Sequence, residues 1–377
     1  MKQGARAVPD DPNSSTPYRL QSLVNKGALT RLVIIGAAVL IVVGCFAFVG
    51  GWLSPHRLTQ ARMIDRFEQI DGVWPGFRRN HAKGACIAGN FDSNGEGVRL
   101  SKAAVFQRGR VPAIGRFSLA GGQPYVADGP AAVRAMGLSF RPPNSEEWRT
   151  AMIDIPVFIV KDPEGFYDQL LATKPDPVTG KPDPAKMKDF LARHPETGRA
   201  LQIVQAKPFS SGFANASYNG LDAFRFVDAA GAATPVRWSM VAAEPFEPET
   251  PAQSAAQDKN YLFDAVIARI KRAPVEWHVV VTIGQLGDPT DNATIPWPSN
   301  RQQVDVGTLT INHIEGEAPG NCRDVNFDPL VLPSGIDPSD DPLLSARSAA
   351  YSTSFTRRAG EKKEPSAVQV PDGGKGA

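Results

Sequence analysis

Residues 78–84 of this sequence, RRNHAKG, place one histidine among several cationic side chains. Neighbouring positive charge disfavours a protonated imidazole, so the ring of His81 is expected to be neutral near pH 7. A neutral imidazole is the usual general base of enzymes that move protons at this pH. His81 is therefore a candidate catalytic base, the alternative being an ordinary exposed histidine. Arg79 is interpreted as a solvated side chain.

A second candidate site, the pair of Arg347 and Tyr351, lies near the C-terminus in the segment PSDDPLLSARSAAYSTSF. The segment predicts a helix that begins at an N-cap Ser339 and tolerates Pro342 in its first turn. Residues four apart share a helix face, so the guanidinium and the phenol should lie side by side. Positive charge beside a phenol favours the phenolate, a hard anionic ligand suited to ferric iron. The alternative is an ordinary polar pair on an amphipathic helix.

Other patterns that carry chemistry are missing from the sequence. The five histidines do not occur at metal-ligand spacing, and neither Cys-x-x-Cys nor His-Glu-x-x-His is present. There is no P-loop, dinucleotide-binding glycine fingerprint or nucleophile elbow. The net charge is +2 and 21% of the residues are charged, so nucleic acid is not an expected partner.

An uncharged run of 22 residues from Leu32 to Leu53 decides the expected location of the protein. At about 1.5 Å per residue it is long enough to cross a ~30 Å hydrocarbon core. The residues before it carry an excess of positive charge, which favours an N-terminus in the cytoplasm. We therefore expect a single-pass anchor in the inner (cytoplasmic) membrane, with the rest of the chain on the periplasmic side. A cleaved signal peptide and a buried core helix are the alternatives.

The rest of the chain alternates short strand patterns with a few helical ones. Segments such as DIPVFIVKD and VEWHVVVTIGQL are typical of strands, whereas RLTQARMIDRFEQI and AKMKDFLARH have apolar residues at helical spacing. An α+β fold is expected, in which an antiparallel sheet closes as a barrel with inserted and appended helices, because closure leaves no strand edge unpaired. The predicted division is a polar cytoplasmic tail at 1–31, an anchor at 32–54, a main domain at 56–360 and a disordered tail at 361–377.

Seven segments resemble the catalase superfamily, and most closely the catalase-related peroxidases. They occur in the family's order between residues 74 and 358: RRNHAKG, IGRFS, DIPVF, GDPTDNATIPWP, VGTLTI, NFDPLVLPSGI and RSAAY. The resemblance implies a catalase-like antiparallel β-barrel of about eight strands and haem b (iron protoporphyrin IX) as the cofactor. It also implies a peroxidase that reduces hydrogen peroxide or organic peroxides with a small-molecule or protein electron donor.

The same resemblance implies roles on the two faces of the cofactor. His81 matches the distal histidine, and Ser118 in GRFS matches the residue that hydrogen-bonds it. Tyr351 matches the proximal ligand of the haem iron, and Arg347 matches the arginine that holds the phenolate. The catalytic base and the metal ligand would thus come from segments that lie 270 residues apart.

At the edge of the cofactor, Arg78 and Arg116 match arginines that bind the haem propionates. Two guanidiniums facing two carboxylates give the expected charge-assisted pairing. A purely structural role is the alternative for Arg78. Phe158 and Phe166 follow DIP at spacings similar to those of haem-contacting phenylalanines, although both positions also suit plain core residues.

The sequence departs from the family pattern over the distal face of the haem. Ile153 and Asp154 stand where most members have an asparagine that orients peroxide, and Asn80 stands where catalases usually have valine. These departures predict a peroxidase with weak dismutation of hydrogen peroxide. Two alternatives stay open: a catalase-fold haem protein without efficient turnover, and a lyase that rearranges hydroperoxides, because one fold can host several activities.

The three cysteines divide by expected compartment. Cys45 lies within the apolar run, whereas Cys86 and Cys322 belong to the part of the chain expected outside the cytoplasm, where disulfides form. A disulfide between Cys86 and Cys322 is expected, with two free buried thiols as the alternative. Nothing in the sequence indicates an oligomeric state.

Overall fold

The computed structural model describes residues 26–53, 58–129, 132–176, 178–250, 258–318 and 320–371. The chain separates into an N-terminal unit that ends at Thr59 and a larger body that begins at Gln60. The N-terminal unit contains helix α1, Lys26–Val49, whose apolar side chains are mostly exposed. This helix is long and apolar enough to cross a membrane, a property that anchors and signal sequences share.

The body is built on a closed antiparallel β-barrel of eight strands, which confirms the expected fold class. Neighbouring barrel strands follow the order β1-β2-β3-β4-β5-β7-β8-β9, and β9 pairs with β1 to close the barrel. Two further strands, β6 and β10, extend from β7 as a side ribbon. The strands are β1 Gly84–Ser93, β2 Gly109–Leu119, β3 Arg134–Phe140, β4 Trp148–Ile153, β5 Tyr218–Asn219, β6 Phe224–Val227, β7 Ala233–Ala242, β8 Val275–Ile283, β9 Gln303–Glu315 and β10 Ile336–Pro338.

Aromatic side chains fill the barrel and hold its shape. Buried rings from six positions meet inside it: Phe117, Phe140, Trp148, Tyr218, Trp238 and Trp277. Burying one side chain of this size stabilises the fold by about 1.5–3 kcal/mol. Three of the polar ends find partners: the indole of Trp277 donates to the carbonyl of Ala216 at 2.9 Å, Tyr218 donates to that of Phe213 at 2.8 Å, and the indole of Trp238 donates to the hydroxyl of Thr150 at 3.0 Å.

The described part of the body also contains six α-helices. They are α2 Gln60–Asp71, α3 Pro163–Ala172, α4 Pro184–Arg193, α5 Pro195–Gln205, α6 Tyr261–Arg272 and α7 Pro342–Ala359. The predicted helix with Arg347 and Tyr351 is therefore α7. Its N-cap is Asp341, whose carboxylate accepts from the N–H of Leu343 at 2.9 Å, so the prediction of Ser339 as the cap was wrong.

The segment after α7 differs from the disordered tail that its polar composition predicted. Residues 361–371 pack on the body, and Val368 is 1% exposed. Glu361 forms an ion pair with Arg79. Arg79 is itself buried, contrary to the solvated side chain expected, because two acidic partners compensate its charge. Residues 372–377, the end of the predicted tail, lie outside the described residues.

Candidate functional site

The candidate base, His81, lies in a turn with an uncommon backbone conformation. Its φ angle is 55°, in the left-handed region that non-glycine residues rarely adopt. The side chain of Asn80 fixes this turn, because its Oδ1 accepts from the N–H groups of His81 and Gly121, both at 2.9 Å. Such a conformation costs roughly 1–3 kcal/mol and is common at functional sites. Asn80 therefore has a positioning role in the turn.

The ring of His81 is held in its neutral form. Its Nδ1 lies 3.4 Å from the hydroxyl of Ser118 on β2. Burial is the main cause that lowers the pKa of His81 to about 3, and the positive charges of Arg116, Arg347 and Arg78 lower it further. The imidazole is therefore free to accept a proton at any pH near neutrality.

The outer face of strands β1–β4 lies beside His81 and carries small side chains. Residues directly opposite each other in neighbouring strands share a face. One row across the sheet is Gly84, Ser118, Ala135 and Ile153, and the next is Cys86, Arg116, Gly137 and Ala151. Glycine and alanine occupy four of these eight positions, and the ring of Phe327 packs over Gly137 and Ala151 in the second row.

Ile153 lies two strands from Ser118 in the first of these rows, about 10 Å away at the usual strand spacing. The carboxylate of Asp154 contacts Arg134, whose backbone N–H donates to its Oδ1 at 3.0 Å. Burial raises the pKa of Asp154 to about 6 against the opposing effect of Arg134. Asn219, opposite Ile153 on β5, already has both ends of its amide engaged by other residues. Neither polar neighbour is therefore free to hydrogen-bond a ligand beside Ile153.

Helix α7 brings Arg347 and Tyr351 to the same face. The guanidinium of Arg347 donates to the carbonyl of Ala151 on β4 at 3.1 Å and forms an ion pair with buried Asp222. Although burial opposes its charge, the pKa of Arg347 is raised because Asp222 and the hydroxyl of Tyr351 interact with it. The expected Arg347–Tyr351 pair is thus present. The positive charge of Arg347 also lowers the pKa of His81, so the structure brings this pair close to the candidate base.

Arg78 and Arg116 lie together and share one carboxylate, that of Glu317. Arg116 binds it through two nitrogens at 2.7 and 3.0 Å, and Arg78 binds it through one at 2.7 Å. Arg358, two turns beyond Tyr351 on α7, lies close enough for Glu317 and Arg116 to change its pKa. The pKa of Arg78 is lowered well below its usual range by burial and by the charges of Arg116 and Arg358.

This cluster fits a ligand with two negative charges. Three buried or partly buried guanidiniums face one protein carboxylate, so two positive charges remain uncompensated by Glu317. Buried charges in proteins are normally paired. Two carboxylates from a bound group would complete the pairing, as the propionates of a haem would.

Phe158 and Phe166, the two phenylalanines of the sequence analysis, contact each other with ring centroids 5.6 Å apart. Phe166 also packs against Phe67 of α2, at 5.8 Å. Phe158 belongs to the same apolar cluster as Ile153. The pair therefore forms an apolar wall that continues from the Ile153 end of the outer face.

Cys86 and Cys322, the two cysteines expected to pair, form a disulfide with their Cα atoms 5.3 Å apart. The sulfur pair is fully buried and packs against Phe327. Cys86 lies on β1 opposite Arg116, so this covalent link joins the outer face of the barrel to the segment that follows β9. Cys45 is the free cysteine of the described residues.

Sequence reasoning missed three polar residues of the site: Asp222, Glu317 and Arg358. Asp222 occurs as one acid within the largely apolar stretch NGLDAF, a weak signal of a buried ion pair. Arg358 follows Tyr351 by seven residues, a spacing that returns to the same helix face, and this signal was available. Glu317 lies in a loop without periodicity, and its partners lie 201 and 239 residues away in the chain.

The barrel and its helices have the architecture of catalases of known structure. A bacterial catalase superposes with a TM-score of 0.67 at 21% identity over 81% of this chain and 62% of that one. Catalase A from Saccharomyces cerevisiae gives the same TM-score at 20% identity, covering 81% of this chain and 65% of the yeast protein. The shared fold therefore spans a little under two thirds of these larger catalases.

Sequence comparison identifies the family. The catalase family model matches residues 53–372. A catalase-related peroxidase of Synechococcus elongatus is 40% identical over 80% of this chain and 89% of its own length. One from Mycolicibacterium paratuberculosis is 33% identical over 83% of this chain and 99% of its own length. The chain belongs to the catalase family, and this membership implies a haem cofactor.

Proposed function

We propose that the protein is a haem peroxidase of the catalase superfamily, which reduces hydrogen peroxide or organic peroxides with an external electron donor. The observation that carries this proposal is the neutral His81 beside the outer face of β1–β4, with the Arg347–Tyr351 pair of α7 close enough for the charge of Arg347 to act on His81. The two relatives named catalase-related peroxidases support it, since each aligns with most of this chain.

The residues present suit a haem b between His81 and the Arg347–Tyr351 pair. Tyr351 would be the axial ligand of the iron, and Arg347 would stabilise its phenolate. Arg78 and Arg116 would bind the propionates, with Arg358 as a third cation beside them. The bound haem would supply the two-electron redox chemistry that amino-acid side chains lack.

His81 would move the proton that makes the O–O bond of the peroxide breakable. Its neutral ring accepts the proton from one peroxide oxygen and returns it to the other, so that water or an alcohol leaves. Ser118, at 3.4 Å from Nδ1, would hold the ring in one orientation and leave Nε2 facing the substrate. The electron donor, a small molecule or a protein, then restores the resting state.

Absorption spectra and turnover on one haem-loaded preparation test the proposed function. We expect a haem spectrum and oxidation of an aromatic dye with either hydrogen peroxide or cumene hydroperoxide. Bound haem with no reaction after rapid mixing with peroxide would instead favour a haem protein without turnover. Conversion of a fatty-acid hydroperoxide without any added donor would favour the rearranging lyase.

The lowered pKa of His81 predicts a flat acid limb in the pH profile of the reaction with peroxide. Because the neutral ring is the active form and the pKa is about 3, the rate constant should not fall until the pH nears that value. Stopped-flow mixing between pH 4 and pH 8 measures this. His313→Gln, a change at an exposed histidine on β9, is the control. A fall centred near the ordinary histidine value of about 6.5 would contradict the assignment of His81.

We also propose that α1 anchors the protein in the inner membrane, with the peroxidase body on the periplasmic side. The length and apolarity of the helix support this proposal. In a Gram-negative host, the full-length protein should stay in the membrane fraction after carbonate washing and should be digested by protease added to spheroplasts. A soluble protein with a new N-terminus beyond residue 49 would show cleavage of a signal sequence. A membrane-bound body that resists protease would place it in the cytoplasm.

A further inference from the structure

The carboxylate of Glu317 binds both of the arginines that are proposed to bind the haem propionates, Arg78 and Arg116. Glu317 is 4% exposed and lies just after β9. It accepts from the guanidiniums of Arg78 and Arg116 together, so the planes of both groups are set by one side chain. A bidentate carboxylate fixes a guanidinium in direction as well as in distance.

Backbone carbonyls from the same segment hold the remaining nitrogens. Nη2 of Arg78 donates to the carbonyls of Cys322 and Val325, each at 3.0 Å. Nη1 of Arg358 donates to the carbonyl of Arg323 at 2.6 Å. Residues 316–318 and 320–326, called the clamp loop below, therefore contact all three arginines.

The clamp loop is tied to the barrel at the level of these arginines. Its Cys322 is bonded to Cys86, and Cys86 lies opposite Arg116 in the register of β1 and β2. Gly320 fits closely beside this link, since a Cβ there would lie 2.9 Å from the sulfur of Cys86 and 2.0 Å from a backbone oxygen of Gly316. The loop position thus depends on the covalent link and on a residue without a side chain.

We infer that Glu317 is a positioning residue for the cofactor and that the Cys86–Cys322 disulfide acts through it by fixing the clamp loop. The inference rests on the proposed haem site. Charge supports it, because three guanidiniums are balanced by Glu317 together with the two carboxylates of the cofactor. Glu317 is then a permanent member of the site and not a competitor that the propionates displace.

Loss of Glu317 should therefore release haem faster. Without its carboxylate, the charges of Arg78 and Arg116 repel each other, and Arg116 loses the two-nitrogen contact that fixes its direction. Removing a residue that orients ligand-binding groups typically weakens retention about 10–100-fold. We expect Glu317→Gln to raise the rate of haem transfer to excess apomyoglobin by that factor, as followed by absorbance. Glu96→Gln is the matched control, the same acid-to-amide change at an exposed side chain outside the clamp loop.

The disulfide is tested in the same assay. The Cys86→Ser/Cys322→Ser pair should also speed release, and adding Glu317→Gln should give little further increase, because both changes remove one interaction. If the serine pair does not fold, the Cys86→Ala/Cys322→Ala pair, whose apolar side chains suit this fully buried position, takes its place in the assay.

The outcomes separate the inference from the proposed function. Unchanged or slower release from Glu317→Gln would overturn the positioning role, and slower release would show that Glu317 competes with the propionates. Effects that multiply would show that the disulfide does not act through Glu317. Protein that holds haem as expected but turns over no peroxide would contradict only the proposed function. Wild-type protein that takes up no haem would contradict both.

Discussion

Tyr351→Phe is expected to purify with at least about tenfold less haem than the wild type, because it lacks the proposed axial ligand. The substitution removes one hydroxyl and keeps the ring. Arg347 remains held by Asp222 and by the carbonyl of Ala151, so the helix face should stay in place. Any haem that remains should lose the spectrum of a phenolate ligand. Haem content per chain and the absorption spectrum of the same sample measure both effects.

The control for this change is Tyr125→Phe. Tyr125 is 40% exposed and packs edge-on against Trp74, with their ring centroids 5.7 Å apart. Loss of its hydroxyl should leave haem content and spectrum as they are. A Tyr351→Phe protein with the parent spectrum would mean that another side chain binds the iron.

The Arg347–Tyr351 pair was predictable from sequence because its geometry is local. Four-residue spacing within one helix fixes which side chains are neighbours, whatever the rest of the chain does. The barrel was predictable in class for a related reason, since period-two strands need closure or cover at their edges. His81 was also predictable as a candidate from its neighbours in the sequence. Its left-handed backbone conformation and its hydrogen bond to Asn80 were not.

The missed residues depend on contacts that no local pattern encodes. Glu317 pairs with Arg78 across 239 residues, and Arg347 pairs with Asp222 across 125. Glu361, in the tail, likewise pairs with Arg79, 282 residues away in the chain. From the sequence, a single acidic residue in a loop and a polar tail are both expected to be exposed to solvent. Only the fold shows that each has a buried partner. Ion pairs between residues far apart in the chain are therefore the part of the site that the sequence did not predict.

The substitution Ile153→Asn is expected to raise dismutation of hydrogen peroxide much more than peroxidase turnover. Dismutation needs a second peroxide that is oriented well enough to give up two electrons, and the resemblance to the family implies an asparagine, at the place of Ile153 or Asp154, that would assist the proposed distal histidine in this. Here Ile153 offers no hydrogen bond, Asp154 is engaged with Arg134, and the amide of Asn219 is already engaged. Restoring one preorganised donor is worth roughly 10²–10³ in rate, judged from oxyanion-hole residues.

Peroxidase turnover needs only the proton transfer by His81 and access for the donor, so it should change by no more than about threefold, far less than the gain from a preorganised donor. An oxygen electrode and a dye-oxidation assay on one preparation give the two rates. Ile153→Leu is the matched control, because leucine has nearly the shape of asparagine without its hydrogen bonds. If Ile153→Leu also raises the rate of dismutation, the increase would come from added space above the proposed haem and not from the amide group. A wild type that evolves oxygen as fast as a full-sized catalase would show that the distal face works without an asparagine at this position.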